Sequence, residues 1–229
     1  RLIQHGVLDV VLAGGADALC RFTLNGFNTL MIVDQEPCKP FDENRKGLNL
    51  GEGAAYLVLV SDRFYEQYHH LTCYGTLSGF ANANDAFHQT ASSADGNGNF
   101  LAMSNALKQG NLTISDIGYI NAHGTGTANN DSSEGIAIER LFGDAIPPLS
   151  STKAYTGHTL GACGALEAVY SLLALQEGLA YPCLRIQTPM KDLKCNPLTD
   201  FAVLPQLKHV MSNSFGFGGN CSSLIFSKS

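Results

Sequence analysis

The stretch Ile117-Gly118-Tyr119-Ile120-Asn121-Ala122-His123-Gly124-Thr125-Gly126-Thr127 decides the fold prediction. Its apolar start is typical of a strand buried in a sheet, and this strand delivers His123 into a glycine-rich loop at its C-terminal end. Residues 129–131, Asn-Asn-Asp, can cap a following helix that stops at Gly143. Strand, loop and helix in this order indicate an α/β fold.

The same alternation continues on both sides of this stretch. We predict strands at residues 7–13, 54–60, 71–80, 210–214 and 222–226, and helices at 22–33, 100–110 and from 158 towards 178. The run 7–13 ends in two glycines and has the bounds of a buried parallel strand. Gly-rich turns precede the strands at 54 and 222, which suggests two similar half-domains. The pattern favours a layered α/β fold, with helices packed between or on sheets.

Composition narrows the class of protein. The 229 residues are 45% hydrophobic and 15% charged, enough for a substantial core in one large or two small domains. A net charge of −6 offers no basic stripe for nucleic acid, and the apolar runs are too short to span a membrane. Seven cysteines without Cys-x-x-Cys spacing favour reduced thiols, a cytoplasmic location and no metal site.

A second glycine-rich histidine motif reads Ser151-Thr152-Lys153-Ala154-Tyr155-Thr156-Gly157-His158. We expect His158 at the N-terminus of a helix, where the positive end of the helix dipole disfavours a charged imidazole. A lone buried histidine is more often structural, but two in matching loops predict a catalytic pair. A zinc site is disfavoured because the ligand spacing is missing.

Seven motifs, in order, resemble those of the β-ketoacyl-acyl-carrier-protein synthases, and most closely the bacterial type II elongating enzymes. They lie at residues 13–17, 40–45, 51–54, 85–88, 121–127, 151–167 and 213–219. The resemblance implies the thiolase-like fold, with two stacked halves in an α-β-α-β-α arrangement, usually as a homodimer. Residues 1–62 would be the end of the first half, and residues 68–229 the whole of the second.

The chain begins at Arg1, and Arg1 to Gly6 resembles the last turn of a helix closed by Gly6. The resemblance implies that the nucleophilic Cys of the family lies at the start of that helix, upstream of Arg1. We expect none of the seven cysteines to replace it, and we expect no condensation from these residues alone.

The family reaction joins an acyl thioester to malonyl carried by acyl carrier protein, with loss of carbon dioxide. The substrates ride on the phosphopantetheine of the carrier, so no separate cofactor is expected. By resemblance, His123 and His158 stabilise the enolate through N–H groups, each worth about 3 kcal/mol. Lys153 is implied as the active-site lysine, with Glu134 or Asp131 as the partner that a buried cation needs.

The resemblance also implies binding residues. Thr125 and Thr127 would hydrogen-bond the phosphopantetheine arm, although their hydroxyls could simply cap the strand end. Phe27 would line the acyl tunnel, or else belong to the core. Phe215 and Phe217 lie in a Phe-Gly-Phe-Gly-Gly loop that would gate the acyl pocket and complete an oxyanion hole.

The sequence departs from the family pattern at two places. Residues 219–221 are Gly-Asn-Cys where the family often has Gly-Thr-Asn, and no basic residue for the carrier protein follows Phe27. One alternative is a non-catalytic partner subunit resembling a chain-length factor, although the retained His123 and His158 favour an enzyme. A hydrolase or acyltransferase using Cys163 is disfavoured because no nucleophile-elbow motif is present.

Overall fold

A computed structural model describes all residues from Arg1 to Ser229. The strands are β1 (Val10–Asp17), β2 (Gly53–Val60), β3 (Thr76–Asn84), β4 (Tyr119–Asn121), β5 (Leu149–Ser150), β6 (Leu179–Ala180), β7 (Ala202–Val203), β8 (His209–Gly216) and β9 (Asn220–Ser227). The helices are α1 (Arg21–Thr29), α2 (Asp62–Gln67), α3 (Asn97–Gln109), α4 (Ala128–Phe142), α5 (Lys153–Thr156) and α6 (Cys163–Glu177). None of these helices combines the length and the apolar character that crossing a membrane requires.

The larger sheet has five strands in the order β3-β9-β8-β4-β5. β4 lies parallel to β5 and β8, while β9 is antiparallel to β8 and β3. Successive side chains of a strand point to opposite faces of the sheet. Along β8, Met211 therefore packs into the core formed with α3 and α4, and Val210 into the core formed with α6.

Helix α6 lies between the two main sheets, since it packs against β8 on one side and against β1 and β2 on the other. Helices α3 and α4, the large sheet, α6 and the β1–β2 sheet follow one another as α-β-α-β. This order matches four layers of the predicted arrangement. The predicted helix from His158 begins later, at Cys163, after a single 3₁₀ turn at Leu160–Ala162.

Strand β1 differs from its prediction. It pairs antiparallel with β2, and it starts at Val10 and continues to Asp17, so the buried parallel strand expected at 7–13 is wrong in direction and position. The two glycines lie inside the strand because neighbouring backbone is too close for a side chain: Gly14 faces Ala55 and Tyr56 of β2, and Gly15 faces the turn before α6. A Cβ on Gly15 would lie 2.0 Å from the carbonyl oxygen of Gly161.

The first residues close a helical turn as predicted. The N–H of Gly6 donates to the carbonyl of Ile3, and the N–H of Val7 donates to the carbonyl of Leu2. Gly6 has a φ of 69°, the left-handed conformation that ends helices in the Schellman motif.

Several other boundaries move by a few residues. Helix α1 ends at Thr29 rather than near residue 33, and β3 starts at Thr76 rather than 71. Helix α4 is capped by Thr127, whose hydroxyl accepts the N–H of Asn130, and not by residues 129–131. These shifts leave the order of the elements unchanged.

Candidate active site

The two predicted histidines meet in space. Their ring centroids are 5.2 Å apart and their planes cross at 82°. His123 follows the C-terminal end of β4 and is buried, whereas His158 follows α5 and is half-buried. The structure therefore brings together the pair on which the functional prediction depends.

The environment of His123 fixes which ring nitrogen carries the proton. The Nζ of Lys153 lies 3.0 Å from Nδ1 of His123. An ammonium group has only donors, so Nδ1 accepts this bond and Nε2 holds the ring proton. His123 is thus a neutral imidazole with an N–H donor on Nε2.

His158 has the same tautomer for a different reason. The backbone N–H of Leu160 donates to Nδ1 of His158 at 3.2 Å. Nδ1 is therefore an acceptor, and the proton of the neutral ring is on Nε2. Two neutral rings that each offer an Nε2–H are suited to stabilising negative charge on a shared oxygen atom.

Burial keeps both imidazoles uncharged. It lowers the pKa of His123 well below the ordinary value of 6.5, and the nearby Lys153 and then His158 add to this effect. Burial also lowers the pKa of His158 to about 3, with Lys153 as the second cause. The predicted neutrality of His158 therefore has another origin than the helix dipole, because α6 begins only at Cys163.

These pKa values predict how the protein responds to acid. The nitrogen chemical shifts of His158 should stay constant from about pH 8 to pH 5, since its folded pKa lies near 3. An unfolded chain binds a proton at about 6.5. Between these two pKa values the unfolded state holds more protons, so stability should fall as the pH drops below about 6.5.

The measurement is a pH series of nitrogen-detected histidine spectra, with urea unfolding at each pH. His158→Phe supplies the control, because it should flatten part of the acid loss of stability. A titration of His158 near pH 6.5 in the folded protein would contradict the assignment of a neutral buried ring.

Lys153 is neutralised by a residue that was not predicted as its partner. Its side chain is almost fully buried and pairs with a carboxylate oxygen of Glu167, which lies in the first turns of α6. Nζ also donates to the carbonyl of His123 and to Nδ1 of that ring, so all three ammonium protons have acceptors. The expectation that Glu134 or Asp131 would pair with Lys153 is wrong.

Burial alone would lower the pKa of Lys153, but the neighbouring Cys163 and Glu167 outweigh it and hold the pKa above its ordinary value. Lys153 is therefore a permanent cation beside the rings. A sequence signal for its partner existed, because Glu167 is the only acidic residue in the apolar run 160–175.

Glu134 instead holds the loop that carries His123. Its two carboxylate oxygens accept the backbone N–H groups of His123 and Gly124, at 2.9 and 2.8 Å. Burial raises the pKa of Glu134 to about 7, against the lowering effect of these two bonds. The carboxylate fixes the backbone at the residue that carries the His123 ring.

Asp131 fixes the next part of the same loop. It accepts the N–H of Thr125 at 2.9 Å and that of Gly126 at 3.2 Å. Its other oxygen accepts the N–H of Phe41 at 2.8 Å and lies 3.7 Å from Nε of Arg45. Asp131 therefore joins the His123 loop to the stretch before β2.

Phe41 was not predicted as a site residue, although it lies in a motif that was quoted. It is buried and adopts a φ of 61°, which is uncommon for a residue with a side chain. Its ring lies against Gly124, where an added Cβ would come within 2.6 Å of it. Such strain persists only where the surrounding structure requires it. Here the strained backbone places the Phe41 ring against Gly124, so that it supports the His123 loop.

The remaining predicted binding residues form separate contacts in the structure. The hydroxyls of Thr125 and Thr127 lie 3.0 Å apart, and Thr127 also caps α4. The buried ring of Phe215 is 6.3 Å from His123. Phe27 and Phe217 stack with centroids 6.0 Å apart, so the predicted tunnel residue and the predicted gate touch each other.

Cys163 lies close to the site without the properties of a nucleophile. Its sulfur, a His123 nitrogen and a Glu167 oxygen lie within 4.8 Å of one another, a spacing that could hold a metal ion. Lys153 already bonds His123 and Glu167 there. Burial, with Glu167 as the next cause, raises the pKa of the Cys163 thiol to about 12, so it stays protonated.

Comparison with known proteins gives consistent results. Residues 1–63 match the family model for the beta-ketoacyl synthase N-terminal domain, and residues 74–187 match that for the C-terminal domain. The chain is 39% identical to 3-oxoacyl-[acyl-carrier-protein] synthase 2 of Rhizobium meliloti (98% of this chain, 55% of the relative). It is 38% identical to the mitochondrial 3-oxoacyl-[acyl-carrier-protein] synthase of Arabidopsis thaliana (99% and 52%).

Solved structures agree. One solved structure is the complex of a type II polyketide synthase acyl carrier protein with its ketosynthase. A chain of that complex superposes on this chain with a TM-score of 0.95 at 30% identity. The match covers 100% of this chain and 58% of that one. A chain of a ketosynthase in complex with its chain length factor, from Xenorhabdus doucetiae, gives 0.90 at 38% identity, covering 100% and 55%. The chain spans a little over half the length of the relatives it matches.

Proposed function

Because the chain belongs to the beta-ketoacyl synthase family, we propose that it forms part of a 3-oxoacyl-[acyl-carrier-protein] synthase of fatty acid or related biosynthesis. Such an enzyme condenses an acyl thioester with malonyl-acyl carrier protein. The observation that carries the proposal is the pair of neutral rings, His123 and His158, whose centroids lie 5.2 Å apart and which each have an Nε2–H donor.

The donors act when the malonyl group loses carbon dioxide. The carbon–carbon bond to the carboxylate breaks, and its electron pair moves into an enolate whose charge lies on the thioester oxygen. The Nε2–H groups of His123 and His158 donate to that oxygen in a site from which water is largely excluded. The enolate carbon then attacks the acyl thioester carbonyl, and the acyl-bearing thiolate leaves.

We assign the acyl-bearing thiol to a residue outside the 229 described here. The Cys163 sulfur lies within 4.8 Å of a nitrogen of His123. Its buried thiol has a pKa of about 12 and is therefore unsuited to carrying the acyl group as a nucleophile. The experiment that tests the proposed function combines acyl- and malonyl-acyl carrier protein with the intact enzyme. Carbon dioxide release together with a product two carbons longer would support it, and the absence of both would refute it.

Acyl carrier protein is the partner that we propose, as carrier of both substrates on phosphopantetheine. A ketosynthase in complex with an acyl carrier protein is among the structural neighbours. We propose Thr125 and Thr127 as contacts for the phosphopantetheine arm, since Thr125 and His123 share one buried loop. We also propose that the protein forms a homodimer and lies in the cytoplasm. We propose two half-domains, at residues 1–62 and 68–229.

A second candidate function is that of a chain-length-factor-like subunit. A ketosynthase with its chain length factor is also a structural neighbour at 38% identity. The buried ammonium of Lys153, which pairs with Glu167 and bonds Nδ1 of His123, favours the enzymatic function over this one. A non-catalytic subunit has no need of a buried cation that orients a histidine ring. Decarboxylation by the intact protein would separate the two functions.

The gate proposal yields a prediction for acyl-chain acceptance. Phe217 is 46% exposed, stacks on Phe27, and precedes Gly218, whose φ of 75° permits an abrupt turn. Phe217→Ala in the intact enzyme should therefore broaden the range of acyl chains accepted, with a several-fold change in the ratio of long to short chains. The measurement is competition between acyl-carrier substrates of different length.

The control for this experiment is Phe201→Ala. Phe201 is 61% exposed and packs on Tyr181, whereas Phe217 packs on Phe27. It should leave the chain-length profile unchanged. An unaltered profile in Phe217→Ala would mean that this ring does not gate the acyl pocket.

A further inference from the structure

The linker segment, defined here as residues 34–51, holds the backbone of His158. The N–H of His158 donates to the carbonyl of Asn49 at 2.7 Å. The N–H of Gly51 donates to the carbonyl of His158 at 3.1 Å, and Leu50 forms a parallel bridge with His158. A stretch far away in sequence thus fixes the backbone from which the second imidazole extends.

The side chain of Asn49 organises the other end of the linker segment. Its Oδ1 accepts the N–H of Cys38 at 2.6 Å. Its Nδ2 donates to the carbonyls of Asp34 at 3.1 Å and Glu36 at 3.0 Å. The surroundings offer one donor and two acceptors, and a primary amide is the side chain that matches this set.

Residues 34–38, whose backbone the Asn49 side chain bonds, pack on the helix that carries Lys153. The Cys38 thiol donates to the carbonyl of Lys153 at 3.5 Å. Arg185 bridges the same two elements, since its guanidinium donates to the carbonyl of Cys38 at 2.8 Å and to that of Ala154. Asn49 therefore reaches the start of α5 through Cys38, and it reaches His158, two residues past the end of α5, through its own carbonyl.

We propose that Asn49 is a positioning residue that sets where the His158 ring and the Lys153 ammonium stand relative to His123. It acts only through main-chain groups and touches no reacting atom. The inference rests on the proposed function, because the geometry that it controls is that of the two enolate donors. The role requires an amide because one group must both accept and donate hydrogen bonds; a side chain of the same size without this pattern would not suffice.

The test uses Asn49→Asp and Asn49→Ala in the intact enzyme. Asp keeps the shape and the acceptor for Cys38 but faces two carbonyls without a donor, while Ala removes the amide without adding charge. We expect kcat for malonyl decarboxylation to fall about 10- to 100-fold, the scale of a misplacement near 1 Å, with KM for malonyl-acyl carrier protein little changed. Nitrogen-detected spectra should show a shifted or doubled His158 signal in both variants.

Gln176→Leu is the matched control. It removes a side-chain amide bond to the carbonyl of Tyr74 at the far end of α6, and it should change neither kcat nor the His158 signal. Folded Asn49 variants with wild-type kcat and an unmoved His158 signal would overturn the proposal. Loss of the cooperative unfolding transition in both variants would overturn it as well, because Asn49 would then serve the fold as a whole.

The two arms separate this inference from the proposed function. If the unmodified enzyme itself fails to release carbon dioxide from malonyl-acyl carrier protein, the proposed function is refuted. The histidine spectra still decide the role of Asn49 in that case. An unmoved His158 signal refutes the positioning role, whatever reaction the site performs.

Discussion

His123→Ala in the intact enzyme should lower the rate of malonyl decarboxylation by about 10²- to 10³-fold, the usual cost of losing one preorganised donor to a developing oxyanion. The loss should fall on kcat rather than KM, because the Nε2–H bond strengthens only as the enolate forms. The same substitution at His158 should have an effect of similar size. The measurement is carbon dioxide release from malonyl-acyl carrier protein under saturating conditions.

His209→Ala is the control for this experiment. His209 is a partly buried histidine at the opposite end of β8 from Phe215, and its ring bonds the hydroxyl of Ser227. This variant should decarboxylate at the wild-type rate. A His123→Ala enzyme that retains near-normal turnover would remove His123 from the chemistry and leave it a structural residue.

Lys153→Met should inactivate the enzyme and also destabilise it strongly. The change leaves the buried carboxylate of Glu167 without its cation, and breaking a buried pair from one side costs about 3–5 kcal/mol. It also removes the donor that holds Nδ1 of His123 as an acceptor. Chemical unfolding and the decarboxylation assay should therefore both register a large loss.

The double variant Lys153→Met with Glu167→Leu separates the two effects. Replacing both members of a buried pair by apolar side chains of similar volume is often neutral for stability, so the unfolding free energy should recover in large part. Activity should stay absent because no ammonium orients His123. Recovery of activity together with stability would show that Lys153 serves only to balance the charge of Glu167.

The parts of the fold that were predicted well are those encoded by neighbouring residues. The strand before His123, the helix stop at Gly143 and the turn closed by Gly6 follow from local apolar pattern and glycine placement, and the structure has all three. The proximity of His123 and His158 was likewise confirmed. It followed from their equivalent places in two glycine-rich loops.

The parts that failed depend on contacts between distant residues. A glycine pair ordinarily ends a strand, so nothing local indicated that β1 continues past Gly15 to meet Gly161. Glu167 reaches Lys153 from another helix, and Asn49 reaches His158 across several elements. Such pairings are set by tertiary packing, which a single sequence does not display.

The buried charges around His123 also bear on how this protein can evolve. Lys153, Glu167, Glu134 and Asp131 are all desolvated, and apolar side chains of equal volume would often make a fold more robust. Their orientation is fixed once, when the polypeptide folds, and under the proposed function it need not be rebuilt in every turnover. Selection for heat tolerance alone would therefore tend to erode this cluster, so its persistence in a lineage would mark a history of selection for turnover.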